Sequence, residues 1–193
     1  MTTTKTTCSW PSNDPLMMAY HDEEWGVPVH DDRKLFKFMV LDAFQAGLSW
    51  KTILYKRENF RKAFDNFQPE IISKYDGHKI SKLLNDAGII RNRLKIQATV
   101  TNAQKFLEVQ KEFGNFDKYI WQFTEGKTKV NNWVELNQIP AISPESDEMS
   151  KDLKKRGFKF VGSTICYAFM QAAGMVNDHM FYCNRWQKIN DME

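Results

Sequence analysis

Two cysteines and two histidines stand near opposite ends of this 193-residue chain: Cys8 and His21 at the start, His179 and Cys183 at the finish. The H-x3-C spacing of the second pair would put both side chains on one helical face. Two thiolates and two imidazoles make a complete tetrahedral set for zinc, with no position left for an activated water. A metal held this way would be structural and would clip the two ends of the chain together. A zinc-dependent hydrolase is disfavoured for the same reason. C-x12-H is not a standard half of a zinc finger, so spacing alone leaves an alternative open: buried cysteines and exposed histidines with no common partner. Cys166 lies in an apolar stretch and reads as a small core residue. His30 and His78 lie in charged, loop-like stretches and read as solvated.

Three other segments could do chemistry. In Asp42-Ala43-Phe44-Gln45-Ala46-Gly47-Leu48-Ser49-Trp50, a carboxylate and an indole flank a glycine turn. They could line a pocket for a planar, hydrogen-bonding ligand, with Leu48 at the tip as a wedge. A plain helix-helix corner with Trp50 in the core is the competing reading, and composition alone favours it. In Ala19 to Pro28, Tyr20 and Trp25 sit beside one metal-ligand candidate and could form a pocket wall held by the clip. Aromatic packing around an acidic loop, with Glu23 and Glu24 solvated, is the alternative. From Lys154 to Gly162 two glycines bound a G-x4-G segment carrying Lys154, Lys155, Arg156 and Lys159. Gly157 and Gly162 would let backbone amides approach a phosphate, and the helix start that follows adds a favourable dipole. This reads as a helix-hairpin-helix element, at about residues 150–173, gripping one DNA strand by its backbone. A solvated charge run before a buried helix fits equally well.

The elements that must position these residues read as helices. Asp31 or Asp32 can cap a helix whose apolar positions Leu35, Phe36, Met39, Val40 and Ala43 follow the helical period, with Gly47 ending it. A second helix starts near Ser49, and Pro69 opens a short third. Residues 79–87 form a fourth, stopped at Gly88. A long fifth runs from about Arg91 to Phe113, and residues 116–123 form a short sixth. Between Gly126 and Ser143 the pattern weakens, with Pro140 and Pro144 interrupting it. Helicity returns at 146–153 and again at 163–173. The reading is all-α, one compact domain over 1–193.

Composition sets the outer limits. A chain this long, 42% hydrophobic and 26% charged, can bury a core without disulfide staples, and its three cysteines are too few and too scattered for a disulfide framework. No run of about 18 apolar residues occurs, which excludes a membrane-spanning helix. Met1 to Thr7 is polar and has no apolar signal core, so a cytoplasmic protein is expected. The net charge of +3 is too small to establish nucleic-acid binding, so any basic surface must come from local clustering.

Taken together, these segments resemble the 3-methyladenine DNA glycosylase I family. The matching words are Cys8-Ser9-Trp10, Asp14-Pro15-Leu16, Tyr20 to Pro28, Gln45 to Trp50, Lys56 to Asn59, Asp86 to Arg91, Lys154 to Cys166, Met170-Gln171-Ala172 and Val176 to His179. They span about residues 8–183 without a large gap. The resemblance implies a two-lobed helix-hairpin-helix glycosylase with a structural zinc site joining the termini, its ligands Cys8, His21, His179 and Cys183. It implies hydrolytic release of 3-methyladenine from alkylated double-stranded DNA, leaving an abasic site without strand cleavage, by a protein expected to be a monomer. It implies catalytic roles for Asp42 and Tyr20. Trp50, Trp10 and Trp25, with Asp42 and Tyr20, would bind the base. Gln45 and Leu48 would probe the gap left by the flipped base, and Lys155, Gly157, Lys159 and Gly162 would hold the DNA backbone. The wider superfamily places a catalytic Asp where this chain has Asn177, an absence that fits the family. Asp178 reads as a brace for the neighbouring ligand.

Two departures stand out. The family pattern carries Glu at the Asp42 position, one methylene longer. It carries Tyr at the Met17 position, where methionine cannot donate a hydrogen bond. They keep a second reading in play, a zinc-stapled DNA-binding protein that recognises lesions but excises little or nothing.

Overall fold

The computed structural model describes residues 7–192, so all but one residue of the polar Met1 to Thr7 stretch lies outside the described part. Ten helices carry the fold of the described residues: α1 Pro15–Glu23, α2 Asp32–Gln45, α3 Trp50–Ala63, α4 Pro69–Ile72, α5 Gly77–Asn85, α6 Arg93–Phe113, α7 Phe116–Trp121, α8 Pro144–Lys155, α9 Ser163–Ala172 and α10 Asn184–Asn190. The sheet is minimal. Lys129–Val130 (β1) pairs in parallel with Val176–Asn177 (β2). No described helix is long and apolar enough to cross a membrane.

The helix starts follow local chemistry. Asp31, Ser49, Asp76, Asn92, Asn115 and Ser143 each accept a backbone N–H with their side chain, satisfying donors that a helix leaves unpaired at its first turn. Pro144 does not interrupt a helix but opens α8, where its missing N–H costs nothing.

Two helices escape the periodicity reading. Pro15–Glu23 is α1, which takes in the first half of the Ala19 to Pro28 segment and is started by the Asp14 side chain on the amides of Leu16 and Met17. Asp14 also takes an ion pair from Lys51 at 2.7 Å and a hydrogen bond from the Tyr55 hydroxyl at 2.8 Å, which ties α1 to α3. These contacts hold the Asp14 carboxyl low, at a pKa of about 2. Asn184–Asn190, which carries no recognisable motif, is α10, held by Asn177 to the Trp186 carbonyl and the Asn190 side chain.

The core centres on α2. Leu35, Phe36, Phe38, Met39, Val40, Leu41, Ala43 and Phe44 are all buried, because α2 packs against α3, α6, α7 and α9 at once. A helix covered on several sides is apolar nearly all round. Asp42 is the carboxylate in that run.

Candidate active site

The chain brings the predicted pocket residues together. Trp10, Tyr20, Trp25, Asp42, Gln45 and Trp50 line one open cavity of about 360 Å³. Tyr20 leans on Trp50 with ring centroids 4.9 Å apart, and Trp10 meets Trp25 edge-on at 5.0 Å. Gly47, at φ +77°, ends α2 in a turn that returns the chain into α3. That turn puts Asp42 and Trp50 on the same wall. It also leaves the Leu48 side chain 42% exposed beside the cavity residues Gln45 and Trp50.

The cavity wall contains polar atoms with no partner among the described residues. Asp42 Oδ2, Trp10 Nε1 and Trp50 Nε1 are buried without a hydrogen bond. Burial pushes the Asp42 carboxyl far above its usual range, and only Lys37 opposes it. Burial does the same to the Tyr20 phenol, helped by the negative charges of Asp42 and Glu24. Tyr20 is therefore a protonated donor at neutral pH. Such unpaired groups are costly to leave unmade and mark where a ligand supplies the missing bonds. A carboxylate and aromatic faces suit a flat base carrying positive charge.

Glu24 is not solvated. It pairs with Arg57 at 2.6 Å and Lys37 at 3.6 Å, half-buried behind Tyr20. Met17 is buried among Cys8, Tyr20, Trp25 and Leu54, so it fills volume behind the cavity instead of lining it.

The cavity has walls the sequence did not announce. Leu136 and Ile139 come from the stretch read as a connection, and Ala168 and Gln171 from α9. Asp178 explains how they are held. Its buried carboxylate accepts four hydrogen bonds, from Asn131 and Trp133 at 2.7 Å and from Tyr167 and Gln171 at 2.8 Å. It braces both walls, and none of these bonds goes to the imidazole of His179. Asn177 is equally structural, accepting the His179 amide and donating to α10.

Behind Trp10 and Trp25 lies the predicted four-residue cluster. The ligand atoms of Cys8, His21, His179 and Cys183 all lie within 4.8 Å of one another, and all four residues are buried. His21 Nε2 and His179 Nδ1 are 3.1 Å apart, Cys8 Sγ is 3.7 Å from His179 Nδ1, and Cys183 Sγ is 3.7 and 3.8 Å from His21 Nε2 and His179 Nδ1. These match the edges of a tetrahedron built on zinc bonds of about 2.0–2.3 Å. The other ring nitrogens are occupied. His21 Nδ1 meets Asp22 Oδ1 at 2.7 Å, and His179 Nε2 meets the Trp25 carbonyl at 2.9 Å. As donors to these oxygens they turn the remaining lone pairs inward, the arrangement of metal-bound histidines. The amides of Met180 and Arg185 donate to the two sulfurs, which favours thiolate. The Cys183 thiol is pulled well down, first by the Cys8 thiol and then by the two imidazoles. One expectation fails here. His179 and Cys183 do not share a helical face; a turn joins them and Cys183 caps α10.

Cys166 is buried as expected, its thiol pushed up to about 12 chiefly by desolvation. His78 is exposed, and so is His30, which additionally pairs with Asp117 at 2.7 Å.

Residues 156–162 join α8 to α9. Gly157 turns the chain at φ +93°, a conformation that costs a glycine little. Phe158 and Val161 plug the loop into the core, while Lys155 and Lys159 stay exposed. Arg156 is not available to a ligand. It is tied to Asp152 at 2.9 Å and Glu112 at 2.8 Å and lies over the Phe113 and Tyr119 rings. Gly162 starts α9 without a side-chain cap, leaving first-turn amides open. Ala168, in the cavity wall, is only about 8 Å along the helix from that start.

A model of the methyladenine glycosylase family matches residues 10–186. DNA-3-methyladenine glycosylase 1 of Escherichia coli (strain K12) is 49% identical over 176 residues, covering 91% of this chain and 94% of that protein. A crystal structure of 3-methyladenine DNA glycosylase I matches with a TM-score of 0.89 at 49% identity, over 93% of this chain and 98% of its own. A variant of 3-methyladenine DNA glycosylase I in complex with 3-methyladenine matches at 0.89 and 34% identity, over 92% and 96%. Shared across nearly the whole sequence and fold, this likeness makes the chain a member of the methyladenine glycosylase family.

Proposed function

We propose that this enzyme hydrolyses the N-glycosidic bond of 3-methyladenine in alkylated duplex DNA, releasing the free base and leaving an abasic site with the strand intact. The observation that carries this reading is the aromatic cavity lined by a buried carboxylate, Asp42, whose Oδ2 has no partner among the described residues. Methylation at N3 leaves the adenine cationic and the glycosidic bond labile. The protein then needs to extrude the nucleotide, hold the base and admit water, with little acid catalysis. Trp50 gives the base a face to stack on, and Trp10 and Trp25 form the walls. Asp42 accepts a hydrogen bond from the base and favours a cation over neutral adenine. Tyr20, kept as a neutral phenol, donates at its edge. Gln45 and Leu48 enter the gap left in the duplex.

The loop before α9 is, on this reading, a helix-hairpin-helix grip on the DNA backbone. It rests on the positive φ of Gly157, the uncapped start of α9 and the exposed Lys155 and Lys159. Replacing Lys155 and Lys159 together by alanine should weaken binding to damaged and undamaged DNA about equally. It should lower the slope of log affinity against log salt by about 1 for each phosphate no longer neutralised. An unchanged slope would move the DNA grip elsewhere.

The Cys8, His21, His179 and Cys183 set fits zinc in donor type, spacing and tautomer. A zinc ion there has four protein ligands and supplies structure, not a reactive water. Its imidazole ligands lie against the cavity walls. His179 meets Trp25 at 4.6 Å and His21 meets Trp10 at 5.4 Å between ring centroids.

The deciding experiment is chromatographic analysis of bases released from methylated duplex DNA. A peak of free 3-methyladenine supports the enzyme reading. Tight binding to abasic DNA with no base released would favour a lesion-binding protein instead.

A further inference from the structure

One face of α6 carries three buried polar residues, Lys95, Thr99 and Asn102, at 7%, 2% and 2% exposure. Their i, i+4, i+7 spacing aligns them along the helix. None belongs to the cavity or to the metal cluster.

Each end of this stripe grips one of the two loops assigned to DNA. The Lys95 ammonium donates to the carbonyls of Phe44 at 2.8 Å and Ala46 at 2.6 Å. These are carbonyls at the C-terminus of α2, which lack helical donors and carry the negative end of its dipole. They immediately precede Gly47 and Leu48. At the other end, the Asn102 side chain closes a two-way bond with the Lys159 backbone, accepting its N–H at 2.7 Å and donating to its carbonyl at 2.9 Å. Thr99 sits between them, its hydroxyl bonded to the Lys95 carbonyl at 2.9 Å. Lys95 also lies 5.9 Å from the Phe160 ring in the second loop, where Phe160 holds φ +55°.

A buried lysine with no carboxylate partner among the described residues is expensive. Burial lowers its pKa, and the structure offers it carbonyl oxygens in place of an acid. Core packing alone has no need of such a group. Fixing the turn that carries Leu48 does.

We propose that Lys95 and Asn102 are positioning residues for DNA engagement: α6 holds the Gln45–Leu48 turn and the Lys159 loop at one fixed separation, so that wedge and backbone grip act on the same duplex together. This rests on the glycosylase reading. Neither residue touches the base. Loss of Asn102, whose Lys159 loop lies outside the cavity lining, therefore impairs nucleotide extrusion and leaves the cavity able to take a free base, whereas loss of Lys95, whose turn lies between the cavity residues Asp42 and Trp50, impairs extrusion more than base binding.

The test compares the native enzyme with Lys95→Met and Asn102→Ala in two assays. One is single-turnover release of 3-methyladenine from methylated duplex DNA. The other is affinity for free 3-methyladenine, read from tryptophan fluorescence. Misplacing a reacting group by about 1 Å can cost about a hundredfold in rate. Release from DNA should fall about tenfold to a hundredfold in each variant, with free-base affinity within about twofold of native in Asn102→Ala and falling much less than release in Lys95→Met. Unchanged release overturns the proposal. So does a fall in free-base affinity that matches the fall in release, because that describes general loosening of the fold. If Lys95→Met does not fold, Asn102→Ala decides by the same criteria, since it removes one side-chain amide beside an exposed loop. A native enzyme that releases no 3-methyladenine would instead refute the glycosylase reading, before either variant is measured.

Discussion

Asp42→Asn should cut release of 3-methyladenine from methylated DNA by about a hundredfold or more and at the same time make the protein more stable. Both effects come from burial. In the cavity the carboxylate has no hydrogen bond to Oδ2 and little water, so its charge acts on a cationic base with little screening. Removing one such preorganised interaction typically costs about 10² to 10³ in rate. Asp42→Glu, which keeps the charge on a side chain one methylene longer, should retain most of the activity. The acid limb of kcat/KM should also disappear in the asparagine variant. The folded pKa of Asp42 lies well above the ordinary carboxylate value, so native kcat/KM falls as pH drops through that raised pKa.

The stability effect has the opposite sign. The folded state binds the Asp42 proton more tightly than the unfolded state does. Stability from this group is therefore greatest below the unfolded pKa of about 3.9 and declines as pH rises toward the folded value. Asparagine removes the penalty, and the melting temperature at pH 7 should rise by about 2–4 °C for each kcal/mol recovered. Near pH 3 the two proteins should melt together. A variant that is less stable at pH 7 would contradict the assignment of Asp42 as a strained, functional charge.

Cys183→Ser should reduce zinc content to near zero and lower the melting temperature by well over 10 °C. Structural zinc contributes about 10–16 kcal/mol of apparent binding energy in zinc-finger peptides, and loss of even part of such a contribution lowers stability sharply. The damage should reach the cavity. The cluster joins α1 to the turn before α10, and His179 holds the Trp25 carbonyl at 2.9 Å. Activity and tryptophan emission should change with metal content in elemental analysis. A chelator should reproduce the loss in the native protein and do nothing further to the variant. Full zinc retention by Cys183→Ser would refute the ligand set.

Much of the site was legible because its signals are local in sequence. Asp42, Gly47 and Trp50 fall within nine positions, and the turn between them follows from one glycine. Cap residues sit next to the helices they start. Where a reading failed, the deciding partner was distant. The 131–139 wall looked like a weak connection because the carboxylate that organises it, Asp178, is 45 to 47 positions away. Lys95 carried no signal of its own in the sequence, since its carbonyl partners are 49 and 51 positions back. Arg156 counted as free charge until Glu112, 44 positions earlier, neutralised it. The H-x3-C pair misled in the other direction, as spacing that suits a helix was met by a turn.

By itself the sequence determined the chemistry on offer: two thiols and two imidazoles suited to zinc, one acid within an apolar helix, and aromatics beside glycine turns. It also determined the helical class, because periodicity and capping act over a few residues. Only the tertiary structure decided which of these groups share an environment. A pKa, a tautomer and an unpaired acceptor depend on what excludes water from a group, and at Asp42 that exclusion is the work of helices far apart in the chain.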